Sequence, residues 1–472
     1  MTAIYNNKTQ PMRIKKIHFI GIGGSGMGGI AEVLYNLGYD VSGSDIAKNR
    51  VTKHLKSLGI KVYIGHKKEQ LNDTQAVVIS SAIKNDNPEF LYARENRIPI
   101  VPRAEMLAEL MRFRYGIAVS GTHGKTTTTS LIAHILATAN LDPTFIIGGV
   151  LNNTGTNAKL GGGSYLVAEA DESDASFLHL QPMLSIVTNI DLEHMQTYQN
   201  DLSKLENAFL NFISNLPFYG LCILCIDDKG IENIISRVSR SFISYGFSNM
   251  ADFQAIDINQ KCEKMYFKIR DKLNNNTFDI ELNLIGRHNI LNTLAAIITA
   301  IEIGVSINDI KKALKSFQGV SRRLERHGIL NIDKKKISLI DDYGHHPNEI
   351  KEVIKTIKNT YPNERLIIIF QPHRFSRTRD LFDDFVNVLS TTDALILLNI
   401  YPASEKPIAN ISSHSLAMAI RERGKVGPIV VNNNYDVIDL LPNIVIDGDI
   451  VLTLGAGDIG KLAKLLKKAF ND

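Results

Sequence analysis

Cysteine is scarce: Cys222, Cys225 and Cys262 are the only three in 472 residues. The count is odd, and no second pair exists to complete a metal ribbon or a disulfide framework. Cys222 and Cys225 form a CxxC inside the apolar run from Gly220 to Ile226, so they are expected to be buried thiols. Long apolar runs are missing too. Nothing approaches the roughly 18 residues of a membrane span, and the opening MTAIYNNKTQPMRIKK has no apolar signal core. A cytoplasmic chain with no membrane span is therefore expected. Charge of one sign is not in excess: 53 Lys+Arg against 49 Asp+Glu leave +4, with the basic residues scattered, which argues against a nucleic-acid partner. No repeat of about 20 to 50 residues, no low-complexity tract and no GxSxG elbow is found.

What is present is enough apolar sequence, 44% against 22% charged, to build several cores, and the length suggests about three domains. The most informative stretch is VSGTHGKTTTT, Val119 to Thr129, between an apolar run from Tyr115 and a helical one from Ser130 to Ala139. A strand, a tight turn and a helix start would converge free N–H groups, the positive end of the helix dipole and Lys125 on one point, which suits phosphate. Thr126 would offer its hydroxyl to a magnesium ion. Val119 stands where the usual P-loop has its first glycine, and a bare GK[ST] also fits a capped helix after a buried strand.

Upstream, the strand-like residues 14–20 run into Gly21-Ile-Gly-Gly-Ser-Gly-Met-Gly-Gly29, then a helix through Leu37 and a second strand ending at Ser44 and Asp45. This βαβ pattern with a GxGxxG turn is the dinucleotide pattern, and taken literally it says NAD. The turn fixes only that a nucleotide or diphosphate can approach the backbone. Further strands at Lys61–Ile64, Ala76–Ser80 and Ile98–Val101 argue for a parallel, doubly wound sheet, with His66, Ser81 and Arg103 just past strand ends.

A second αβ pattern restarts near Arg112. Its strands Ser164–Ala168 and Leu184–Thr188 end in the polar clusters Glu169 to Asp174 and Asn189 to His194. On a parallel sheet these would share an edge with the nucleotide loop and suggest a metal site, although Asp and Ser also cap helices. Three alternating strands between Asp252 and Ile285 imply an antiparallel addition with an Asn-rich turn. His288, Asn289 and Asn292 open an apolar helix, where they would cap it or reach a base. A third αβ domain follows a basic, hinge-like stretch from Gly319 to Arg326. Its strand ends carry DDYGHHP, QPHRFSR, NIY and GAGD, which gathers polar groups on one edge. A nucleotide loop between two such ligand domains suits phosphoryl transfer; if the acceptor is a carboxylate, the product is an acyl phosphate, which an amine could attack to give an amide.

The set GTHGKTTTT, EADESDASF, TNIDLEHM, GRHNILN, RRLERHG, DDYGHHP, QPHRFSRT and GAGDIG resembles the Mur ligases over nearly the whole chain. The resemblance implies three α/β domains: a Rossmann-like UDP-sugar domain (1–111), a P-loop ATPase domain with a small antiparallel addition (112–318) and a Rossmann-like amino-acid domain (319–472). It overrules NAD and implies ATP and Mg2+. GIGGSGMGG with DDYGHHP and HRFSRT looks most like the members that join L-alanine to UDP-N-acetylmuramate, two small-molecule substrates, as a monomer or homodimer. By similarity, Gly23, Ser25, Gly26, Met27, Ser44, Asp45, His66, Ser81 and Arg103 would form the UDP-sugar pocket. Gly121, Thr122, His123, Gly124, Lys125, Thr126, Thr127, His288, Asn289 and Asn292 would bind ATP. Thr126, Glu169 and His194 would be metal ligands. Tyr343, His345, His373, Arg374 and Arg377 would line the amino-acid region. Lys125, His123, His194, Arg374 and Arg377 would serve catalysis. Rivals are the recycling ligase that attaches a whole peptide, whose sequences look more like AHHP, folylpolyglutamate synthase, an NAD-dependent dehydrogenase and a non-catalytic nucleotide switch. The end at Asp472 leads to the expectation that no D-alanine ligase domain is fused.

Overall fold

The computed structural model describes residues 13–471, apart from Ser81, Phe113, His194 and Ser404 and the side chain of Ser25. They form two compact units. The first comprises the described residues of Met1–Ile258 with Tyr266–Leu282 and His288–Phe317, and the second is chiefly Gln318–Asp472. Three separate sheets carry the α/β architecture.

The first sheet has five parallel strands in the order Lys61–Ile64, Asp40–Asp45, Lys16–Ile20, Ala76–Ile79 and Ile100–Pro102. Its order reverses beside Lys16–Ile20, so the glycine turn that follows this strand lies at a switch point, where such sheets open a crevice. The turn leads into helix Ser25–Asn36.

The second sheet has ten strands, with Tyr115–Ser120 flanked in parallel by Leu184–Val187 and Tyr165–Glu169. Strands covered on both faces read as unbroken apolar runs, as Gly116 to Val119 do here. Val119 is wholly buried in this strand and pairs with Ile186 and Glu169, which is why the loop can do without a glycine at that position. The sequence reading did not anticipate the antiparallel edge pair Thr144–Leu151 and Thr156–Lys159. Its glycines and polar residues hide any period of two. Helix Ser25–Asn36 packs on this pair so closely that a Cβ on Gly29 would lie 3.0 Å from that of Ala158.

The third sheet runs Glu325–Ile332, Lys335–Asp342, Ile450–Leu454, Leu366–Phe370, Ala394–Leu398 and Ile429–Val431. All neighbours are parallel except the first pair. The stretch read as a hinge thus runs into an edge strand, whose alternation is broken by a bulge between Arg326 and Gly328. Leu366, Ile368 and Phe370 enter one core and Ile367 and Ile369 the other, so this sheet is covered on both faces.

Candidate active site

The phosphate loop is built by two glycines whose conformation excludes a side chain. Gly121 has φ +128°, and a Cβ there would lie 2.2 Å from Thr188 Oγ1; Gly124 has φ +82°, and its Cβ would lie 2.4 Å from Asn292 Oδ1. Helix Lys125–Thr138 then starts with no side-chain cap on its first turn, leaving that end suited to an anion. Lys125 Nζ folds back over the loop and donates to Gly121 O (2.6 Å), Thr122 O (3.1 Å) and Glu172 Oε2 (2.7 Å). Burial works against its charge, but Glu172 and Asp171 outweigh that and hold its pKa above the ordinary lysine value. It therefore stays a cation where phosphate would sit.

The neighbouring strand ends hold the loop in shape. Asn189 Oδ1 accepts from the His123 amide (2.7 Å), and Thr188 Oγ1 (2.6 Å) and Asn189 Nδ2 (3.0 Å) donate to the His123 carbonyl. His123 Nε2 faces Asp191 (3.5 Å) and Glu193 (3.6 Å). Glu169 ends its strand beside Val119 and accepts the Gly148 amide at 2.8 Å. Thr126 and Glu169 thus fall on the edge of the sheet that carries the loop. His194 lies outside the described residues. In helix Arg287–Glu302, Asn289 and Asn292 are buried, and Asn292 Oδ1 is the atom that closes on Gly124. Its position ties that helix to the phosphate loop.

In the first sheet, the Gly23 amide donates to Asp45 Oδ2 at 2.8 Å, and a Cβ on Gly26 would lie 3.1 Å from Arg103 Nη1. Arg103 also donates to Ser176 Oγ (3.3 Å) and stands 3.9 Å from Asp171, so it joins the glycine turn to the acidic cluster around Lys125. Ser44 is wholly buried: its carbonyl accepts the Gly21 and Ile22 amides, and its hydroxyl donates to Glu89. The Met27 side chain belongs to the core. Both shape the turn from behind. Ser81 and the Ser25 side chain lie outside the described residues.

The five residues expected on the third sheet's edge do come together. His345 packs edge-on against Tyr343 (5.3 Å between centroids) and lies 5.9 Å from His373, which stacks on Tyr401. Arg377 Nη1 lies 3.3 Å from His373 Nδ1, and Arg374 has a strained φ of +73°. The turn before helix Pro347–Thr360 is fixed locally, by Pro347 at its start and a capping box between His346 and Glu349. Burial pushes His345 down to about 3 and, with Arg377 and Arg374 adding to it, His373 down to about 4. Both rings are neutral at neutral pH. Sequence reasoning gave no role to Glu172, Glu89 or Tyr401. Glu172 stood inside a cluster already noted, whereas nothing in the local sequence set Glu89 apart from an ordinary acid in a first helical turn.

In the first unit, a nucleotide loop with a caged lysine and a carboxylate edge beside it suits a nucleotide-dependent transferase or ligase; the second unit carries, by itself, a rim of arginine and neutral histidine. Family models match in chain order: the Mur ligase family catalytic domain over residues 16–115, the Mur ligase middle domain over 119–300 and the Mur ligase glutamate ligase domain over 322–457. The chain belongs to the Mur ligase family. It is 62% identical over 455 residues to the UDP-N-acetylmuramate--L-alanine ligase of Vesicomyosocius okutanii, covering 96% of this chain and 97% of that one. The ligase of the same name from Ruthia magnifica is 57% identical, covering 97% and 98%. Among solved structures, the UDP-N-acetylmuramate-alanine ligase of Thermotoga maritima superposes with a TM-score of 0.82 at 28% identity, covering 96% and 98%. A murein peptide ligase from Psychrobacter arcticus gives 0.72 at 25%, with the same coverage. Among the described residues, no helix is long and apolar enough to cross a membrane.

Proposed function

We propose that this chain ligates L-alanine to the carboxylate of UDP-N-acetylmuramate, with ATP converted to ADP and phosphate, in peptidoglycan synthesis. The observation that carries the substrate pair is the 62% identity, across nearly the whole of both chains, to a ligase named for it. In the chemistry, a carboxylate oxygen of the sugar attacks the γ-phosphorus and ADP leaves. The alanine amine then attacks the acyl carbon, and phosphate departs with that oxygen.

The chain's own residues supply charge and position. Lys125 exchanges the Gly121 and Thr122 carbonyls and Glu172 for phosphate oxygens, and the N–H groups at the start of helix Lys125–Thr138 receive the rest. The cradle fits a phosphate chain because neither Gly121 nor Gly124 has room for a side chain. We assign Thr126, Glu169 and His194 to Mg2+, which would neutralise charge on the transferring phosphoryl group. His288, Asn289 and Asn292 are assigned to the nucleotide, with Thr122, His123 and Thr127 completing the loop. Residues 1–111, 112–318 and 319–472 are assigned to UDP-sugar, ATP and amino acid respectively. Tyr343, His345, His373, Arg374 and Arg377 are assigned to the incoming alanine and the phosphate. Dependence on ATP suits a cytoplasmic enzyme.

The test is phosphate release from ATP and Mg2+ with UDP-N-acetylmuramate, comparing L-alanine, a murein tripeptide and no acceptor. Release requiring L-alanine supports the reading. Release with the tripeptide alone assigns the chain to peptide recycling instead.

A further inference from the structure

Behind the glycine turn of the first sheet lies a wholly buried carboxylate that serves no core. Glu89 occupies the second position of helix Pro88–Glu95, where the dipole favours an anion. Four side chains from different elements converge on it. Ser44 Oγ donates to Glu89 Oε2 (2.5 Å), and His66 Nδ1 lies 3.0 Å from the same oxygen. His18 Nε2 stands 3.5 Å from Oε1, and the Gln70 amide, oriented to satisfy its neighbours, donates to Oε1 at 2.6 Å. Burial would raise the carboxyl's pKa, but the His18 ring beside it and the bonds from Ser44 and His66 outweigh that, and Glu89 is held ionised.

Counting protons fixes one ring. An ionised carboxylate only accepts, and Ser44 has one hydroxyl proton, which goes to Glu89. His66 Nδ1 also lies 2.9 Å from Ser44 Oγ, so both of its neighbours are acceptors and Nδ1 must carry hydrogen. In the neutral ring Nε2 is then a bare acceptor, with no hydrogen-bond partner among the described residues.

We propose that Glu89 is a positioning residue: with Ser44 it locks His66 so that Nε2 presents a hydrogen-bond acceptor to a hydroxyl or N–H donor on the nucleoside part of the sugar nucleotide. This rests on the UDP-sugar reading of the pocket. The same carboxylate couples the ring to the glycine turn, because the Ser44 that donates to it also takes the Gly21 and Ile22 amides on its carbonyl.

The test uses the full chain labelled with 15N-histidine. Long-range 15N–1H spectra of the free protein are expected to show His66 with Nδ1–H and an unprotonated Nε2, and the Nε2 signal moves when UDP is added. Glu89→Gln is expected to lose the single tautomer and to raise KM for UDP-N-acetylmuramate roughly three- to tenfold, the worth of one neutral hydrogen bond. The kcat and the KM values for ATP and L-alanine stay as they were. An Nε2–H or doubly protonated His66 in the unaltered protein overturns the proposal, and so does a Glu89→Gln enzyme with unchanged KM. If that variant does not fold, the spectrum of the unaltered protein decides. Failure of the unaltered chain to bind UDP would instead sink the pocket assignment, and the free-protein tautomer would still report on Glu89.

Discussion

Lys125→Met separates what the lysine does for the fold from what it does for the nucleotide. The substitution keeps an unbranched side chain one atom shorter and removes three donated bonds, to Gly121 O, Thr122 O and Glu172 Oε2. Glu172, 4% exposed, is then a buried carboxylate without its cation. Breaking one side of such a pair costs about 3–5 kcal/mol, unless the orphaned acid escapes by taking a proton. Burial already pushes Glu172 above the ordinary glutamate value, against the pull of Lys125, and losing the lysine pushes it further. The folded state then binds more protons than the unfolded one, so stability falls as pH rises through the folded pKa. The melting difference between Lys125→Met and the unaltered chain should therefore widen as pH rises above the ordinary glutamate value of about 4.3. Adding Glu172→Gln should recover most of the stability, while ligase activity stays lost in both variants. Equal melting of Lys125→Met and the unaltered chain at pH 8, or a double variant no more stable than the single, would refute this reasoning.

Gly124→Ala places a Cβ 2.4 Å from Asn292 Oδ1 in a left-handed conformation, at a cost of about 1–2 kcal/mol; KM for ATP should rise several-fold, and an unchanged KM contradicts the cradle. Burial pushes the Cys222 and Cys225 thiols up to about 12, while Cys262 is exposed. A thiol reagent at neutral pH should label one cysteine in the native chain and all three after unfolding. His345 and His373 have folded pKa values far below the unfolded one, so the stability they contribute is present above pH of about 6.5 and is lost as pH falls towards about 4. His345→Gln should flatten the acid side of the melting curve, which calorimetry between those values would read.

Those parts of the fold with unbroken apolar strands were legible from sequence. Leu366–Phe370, Ala394–Leu398 and Ile450–Leu454 are buried on both faces and announce themselves residue by residue. Two edge strands were not, because Thr156–Lys159 has no apolar face to show and Glu325–Ile332 carries a bulge. In the site, the phosphate loop was legible because a glycine turn and a lysine at a helix start are close in sequence. Glu89 was not: its partners His18, Ser44, His66 and Gln70 meet only once parallel strands and a helix have assembled. Glu172 was visible as an acid, but only the fold shows that it holds Lys125.

The proposed reaction runs through an acyl phosphate, assigned to the Lys125 loop. UDP-N-acetylmuramate carrying 18O in its carboxylate, turned over with ATP and L-alanine, tests it directly by mass spectrometry of the phosphate released. One 18O atom per phosphate is predicted, transferred from the carboxylate as the amide forms. Phosphate free of 18O, with amide still produced, would contradict it.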